Sequence, residues 1–182
     1  MGKILIPLAP GFEEIEAVTS IDVLRRAGLD VLTAGIGSKE IKGDHGIKIE
    51  SDTEISEVSS DHLSAVVLPG GMPGAANLRD NAQLLKIIKE LYAADKLCAA
   101  VCAAPMVLDA AGILEGKNAT SYPGFDKEMP SCNYQEERVV IDGNIITGRG
   151  PGVAMEFAMA VVEYLTDAKE RAQLEDAMLV KR

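Results

Sequence analysis

Short, unbroken apolar runs alternate along this chain with segments of helical pattern, and no other feature limits the fold so strongly. The runs are KILIPL (3–8), LDVLTAGIG (29–37), SAVVLPGG (64–71) and LCAAVC (97–102). Among them lie EEIEAVTSIDVLRRAG (13–28), NAQLLKIIKELYAADK (81–96), AAPMVLDAAGIL (103–114) and PGVAMEFAMAVVEYL (151–165), which read as helices. The first opens on acids, closes on Arg25 and Arg26, and is followed by Gly28, as the helix dipole and C-terminal geometry favour. Strands that are apolar along their whole length are buried on both faces. The expected fold is therefore a mainly parallel sheet with helices on both faces. Two segments read as hairpins instead: 39–52 around Gly43 to Gly46, and 138–148 turning at Asp142-Gly143. A last helix is expected over 168–180.

With 182 residues, 47% of them hydrophobic, the chain suits a single domain, 1–182, with a sizeable core. A formal net charge of −10 repels phosphate backbones, so no nucleic-acid partner is expected. The first residues lack the long apolar stretch and cleavage pattern of a signal peptide, and no run reaches membrane-spanning length. Three cysteines, an odd number, do not make a disulfide framework. These features predict a reduced, cytoplasmic protein with no membrane partner.

In open parallel sheets, sites gather at the carboxyl ends of the strands. The turns there are APGFEE (9–14), LPGGMPG (68–74), VCAAP (101–105) and GRGPG (148–152). Cys102 stands where a strand turns into a helix, flanked by Ala100 and Ala104, a pattern like a nucleophile elbow. Helix-start N–H groups aimed at its sulfur are expected to favour the thiolate, lowering a thiol pKa of ~8.5 by ~2–3 units. The alternative is that Cys102 is only a small core residue. Cys98 and Cys132 read as structural.

Glu13, Glu14 and Glu16 fall in one helical turn, where acids are favoured for the dipole alone. Glu13 and Glu16, spaced i, i+3, share a face that Glu14 leaves. A Glu16 buried against a thiolate would have a raised pKa and donate its proton to sulfur. Gly70 and Gly71 serve either a tight turn or a close backbone approach to a ligand. If the N–H groups of Gly71 and Ala103 converge, they form an oxyanion hole. His45 and His62 lie in polar stretches outside the four turns, so no local Cys–His pair is expected. No close His/Cys pattern supplies a metal site.

The motifs APGFEEIEAV, VVLPGGMPGAANLRD, AAVCAAP and GRGPGVAMEFAMAVVE occur in order and span nearly the whole chain. Together they resemble the ThiJ/PfpI superfamily, in its branch of parkinsonism-associated proteins and bacterial relatives. The resemblance implies a flavodoxin-like three-layer sandwich, commonly a homodimer, with no cofactor. It implies a nucleophilic, readily oxidised Cys102, with Glu16 hydrogen-bonded to its sulfur, Glu13 lining the pocket, and Gly71 and Ala103 as backbone donors. Where many relatives place a pocket His before a Pro, this chain has Tyr122, a hydrogen-bond donor but not a neutral-pH base. Ala103 follows the cysteine where protease-like members have His, so peptidase activity is not expected.

The resemblance implies one of two activities. The first is a cofactor-independent glyoxalase or deglycase, in which Cys102 attacks a small carbonyl substrate, a 2-oxoaldehyde such as methylglyoxal. The second is a redox-responsive stress protein or chaperone, switched by oxidation of Cys102.

Overall fold

The computed structural model describes residues 2–180. In chain order the strands are β1 (Lys3–Leu8), β2 (Val31–Gly35), β3 (Glu40–Lys42), β4 (Lys48–Glu50), β5 (Thr53–Glu54), β6 (Leu63–Leu68), β7 (Leu97–Val101), β8 (Asn118–Ala119), β9 (Asn133–Tyr134), β10 (Val139–Asp142) and β11 (Ile145–Gly148). The helices are α1 (Glu14–Arg26), α2 (Gly74–Arg79), α3 (Ala82–Ala93), α4 (Pro105–Ala110), α5 (Ala154–Leu165) and α6 (Ala168–Ala177).

The main sheet has seven strands in the order β10-β11-β7-β6-β1-β2-β5, parallel throughout except for the β10–β11 hairpin. Side chains alternate across its central strands, so two cores form. Leu5, Val66, Leu68, Cys98 and Ala100 pack on one side, in the core that includes residues of α3 and α4. Ile4, Ile6, Val67, Ala99 and Val101 pack on the other, with residues of α1 and α5. This is the flavodoxin-like sandwich expected. Its wholly buried β7 shows why the apolar run 97–102 carried no polar alternation.

Four local features differ from the sequence expectation. LPGGMPG does not end as a loop but continues into the short helix α2. The helix expected over 103–114 is only six residues long, starting at Pro105. The short parallel pair β8–β9 was not legible, since two residues carry no periodicity. The two-residue edge strand β5, beside β2, was missed for the same reason. No described helix is long and apolar enough to cross a membrane.

Strand order reverses between β1 and its neighbours β2 and β6, a topological switch point. The turns after β1, β6 and β7 therefore open at the same end of the sheet, and the candidate residues lie on them.

Candidate active site

Cys102 follows β7 directly. Its backbone has φ +64, a left-handed conformation rare for a residue with a side chain. Two main-chain hydrogen bonds hold it there: its N–H donates to Gly148 O at 2.9 Å, and its carbonyl accepts from Tyr122 N at 2.8 Å. Such a conformation costs on the order of 1–3 kcal/mol and persists only where its surroundings fix it. It turns the side chain out of the sheet to the floor of a cavity of about 280 Å³, where 8% of the residue stays exposed. Larger hollows of about 520 and 480 Å³ lie at the amino ends of the strands and between α5 and α6, and neither is lined by a cysteine.

Glu16 reaches the same place from the first turn of α1. It is wholly buried, and its Oε2 accepts from Gly70 N at 2.7 Å. Its Oε1 is buried without a partner in ordinary hydrogen-bond geometry. The Cys102 thiol is close enough for the two groups to alter each other's hold on a proton. Gly70 lies between them: a Cβ there would sit 2.7 Å from Cys102 Cβ and 2.8 Å from Glu16 Oε2. The glycine is thus required by close approach. Gly71 adopts φ +88, and a Cβ on it would meet Gly11 O at 2.6 Å. The N–H groups of Gly71 and Ala103 both act on the Cys102 sulfur and favour its anion.

The balance at the sulfur differs from the sequence expectation. Burial raises the Cys102 thiol first, the Glu16 carboxylate adds to it, and the two backbone donors do not compensate; the thiol is pushed up to about 12. A six-residue α4 offers too little to reverse this. Burial thus works against the thiolate that the backbone donors favour. Burial likewise pushes Glu16 up to about 7, against the Gly70 hydrogen bond and the neighbouring Cys102 thiol, which lower it. A carboxyl group that ionises near neutrality beside a protonated thiol is placed to accept the thiol's proton.

Glu13 and Glu14 have separate tasks. Glu13 caps α1, its Oε2 accepting from Glu16 N at 2.8 Å, and also lines the Cys102 cavity. Glu14 points away from the sulfur, as the spacing implied, yet it is buried rather than solvated. Its Oε1 accepts from His45 N at 2.8 Å and Ile47 N at 3.2 Å, fastening the β3–β4 hairpin onto α1. Burial acts to raise Glu14, but hydrogen bonds from His45 and the hairpin backbone outweigh it and lower its pKa.

His45 is the residue that sequence reasoning missed. It lines the Cys102 cavity, with Nδ1 3.0 Å from Glu14 Oε2, and that hydrogen bond raises its pKa. Its partner is 31 residues away, so no local pattern could reveal it. The potential ligand atoms of Glu13, Glu14 and His45 lie within 4.8 Å of one another, a cluster the sequence reading did not anticipate. Those of Glu14 and His45 already serve each other and the hairpin, and one Glu13 oxygen serves the helix cap. Tyr122 stands at the cavity mouth, 47% exposed. Cys98 is fully buried, and Cys132 is half-buried with its thiol donating to Met129 O at 3.3 Å.

Comparison with known proteins adds a second line of observation. Residues 2–164 match the model of the DJ-1/PfpI family. Protein DJ-1 homolog B of Arabidopsis thaliana is 43% identical over 99% of this chain, which spans only 42% of that longer protein. A protein of Pyrococcus abyssi named a deglycase is 34% identical over 90% of this chain and 99% of its own length. The structure of oxidised Toxoplasma gondii DJ-1 superposes with a TM-score of 0.95 at 37% identity, covering all of both chains.

Proposed function

This chain belongs to the DJ-1/PfpI family, and from that premise we propose that it is a cofactor-independent glyoxalase- or deglycase-type enzyme acting on small 2-oxoaldehydes such as methylglyoxal. One observation carries the proposal: a cysteine held at φ +64 on the floor of a small cavity, coupled across Gly70 to a buried carboxyl group. Neither the strained backbone nor the buried acid helps a core residue pack. The name of the Pyrococcus abyssi relative supports the same class of reaction.

The chemistry follows from the pair. Ionised Glu16 takes the thiol proton as sulfur adds to the aldehyde carbon and passes it to the carbonyl oxygen, giving a hemithioacetal and leaving Glu16 ionised again. The developing oxyanion faces the Gly71 and Ala103 N–H groups. Glu16 then carries the former aldehyde proton to the neighbouring carbon through an enediol, leaving a thioester of a 2-hydroxy acid. Water cleaves it, releasing the acid and the thiol. Electrons move only within the substrate, so no cofactor is needed. In the deglycase variant sulfur attacks the carbon joining the oxoaldehyde to an amine or thiol, and the C–N or C–S bond breaks. The freed amine or thiol leaves with the proton Glu16 took from Cys102, giving the same hemithioacetal.

The partner in this reading is a second copy of the chain. Ile15 and Val18 stand exposed one turn apart on α1, and exposed Ile47 shares a surface hollow with Ile15. The direct test of function is turnover of methylglyoxal by purified protein without glutathione, alongside Cys102→Ser. Activity in both refutes the assignment of Cys102, and activity in neither refutes the enzyme reading.

A further inference from the structure

The Cys102 cavity does not end at Tyr122. A second cavity of about 300 Å³ adjoins it, and the two share Tyr122 and Pro151 in their walls. The phenol ring divides them, packed so closely over the backbone that a Cβ on Gly150 would meet ring Cδ2 at 3.1 Å. Pro123, Pro151 and Val153 give the second cavity apolar sides, and Arg138 and Arg149 line it as well.

Arg149 is set apart by its lack of an acid. Arg25, Arg26, Arg79, Arg138 and Arg171 all pair with carboxylates. Among the described residues, Arg149 is the arginine with no ion pair, in a chain with 28 acidic residues against 18 basic ones. Its Nη1 donates to the Glu136 carbonyl, which fixes the guanidinium but leaves its charge unmatched. It is also half-buried, so part of its hydration is lost without an anion in return. Sheet register places it beside the nucleophile: β11 pairs Gly148 with Val101, and the next residues are Arg149 and Cys102.

We infer that Arg149 binds the carboxylate of a substrate whose 2-oxoaldehyde end lies at Cys102. The planar guanidinium fork matches a carboxylate, and the apolar walls suit a short methylene chain between the two ends. Glu13 and Asp44 line the first cavity with His45 and repel an anionic tail from that side, leaving the path past Tyr122. Arg138 is already engaged by Glu156 at 2.7 Å, which makes Arg149 the anchor. The substrate class narrows from small oxoaldehydes in general to those ending in an acid, and this rests on the reading of Cys102 given above.

Two measurements separate the subsite from that reading. The first compares initial kcat/KM for 4,5-dioxopentanoate and its neutral counterpart 2-oxopentanal, at times too short for arginine modification. The intact protein is expected to favour the acid by about ten- to hundredfold, through KM. In Arg149→Gln the ratio should fall to near one, and Arg149→Lys should restore part of it. The second measures binding of unreactive 4-oxopentanoate and 2-pentanone by titration calorimetry in Cys102→Ser. Adding Arg149→Gln should weaken the acid at least tenfold and leave the ketone unaffected. If neither aldehyde is turned over, the enzyme reading fails and the binding experiment alone decides the subsite. Equal binding of 4-oxopentanoate with and without Arg149→Gln, in proteins of matched thermal stability, overturns the inference.

Discussion

Replacing Glu16 with Gln should make the protein more stable and far less active. The isosteric amide can still accept the Gly70 N–H through its oxygen, so the turn after β6 keeps its 2.7 Å contact. What is lost is the ability to ionise. Burial raises Glu16 from 4.5 to about 7, so between those values the folded protein holds a proton that the unfolded chain has released. Wild-type stability therefore falls as pH rises through that window. At 1.36 kcal/mol per unit the loss is at most ~3 kcal/mol. The amide has no such loss. Urea unfolding should find the variant ahead by ~1–3 kcal/mol at pH 8, with the gap closing by pH 4.5. Turnover should move the other way, since a positioned base contributes about 10²–10⁴-fold. Wild-type kcat/KM should rise with ionisation of a group near pH 7, a step the variant lacks. A stability difference that does not change with pH would refute the proton-coupled pair. So would a variant that keeps wild-type kcat/KM.

Four other changes probe the same geometry. Tyr122→Phe should retain activity within about three- to tenfold, because one neutral hydrogen bond is worth ~0.5–1.5 kcal/mol; a loss beyond a hundredfold would make the phenol essential. Gly70→Ala forces a methyl group into the gap between Cys102 and Glu16 and should lower both Tm and activity; an unchanged kcat/KM would show that the two groups need not touch. Cys102→Gly should be more stable than Cys102→Ala by about 1 kcal/mol in urea, since only glycine adopts the left-handed backbone without cost. Brief peroxide treatment followed by mass spectrometry should place oxygen on Cys102 before Cys98 or Cys132, because Glu16 beside it can take the thiol proton as sulfur attacks the peroxide; oxygen first on half-buried Cys132 would mean that exposure alone sets reactivity.

The sheet was legible because its strands are buried on both faces. Past exposed Lys3, β1 is as uniformly apolar as β7, a pattern that neither a half-exposed strand nor an amphipathic helix carries. The start of α1 was legible because acids are favoured at a helix N-terminus, whereas the cap that Glu13 makes on Glu16 N shows only in the folded chain. α2 was missed because a helix opening on Gly74 has no such signal. His45 was missed for a different reason. Its place depends on a buried carboxylate gripping a hairpin from 31 residues away, and polar residues in a turn read as solvated until that grip is seen. Arg149 looked like part of a glycine turn; its significance is the absence of a partner, which only the folded chain reveals.

The proton at Cys102 is where local sequence and long-range burial disagree most. Locally, two backbone N–H groups favour a thiolate. Globally, the desolvated cavity and a neighbouring carboxyl group oppose one, and burial acts first. A protein that only senses oxidants gains from a thiolate at rest, since oxidation follows thiolate character. A thiol beside a carboxyl group that ionises near pH 7 is suited to deprotonation during attack, when the substrate carbonyl receives the charge. The backbone donors then act on the oxyanion more than on the resting sulfur. The buried Glu16 is what such an attack requires of its base: a carboxyl group beside the sulfur that can take the proton as a carbonyl is engaged.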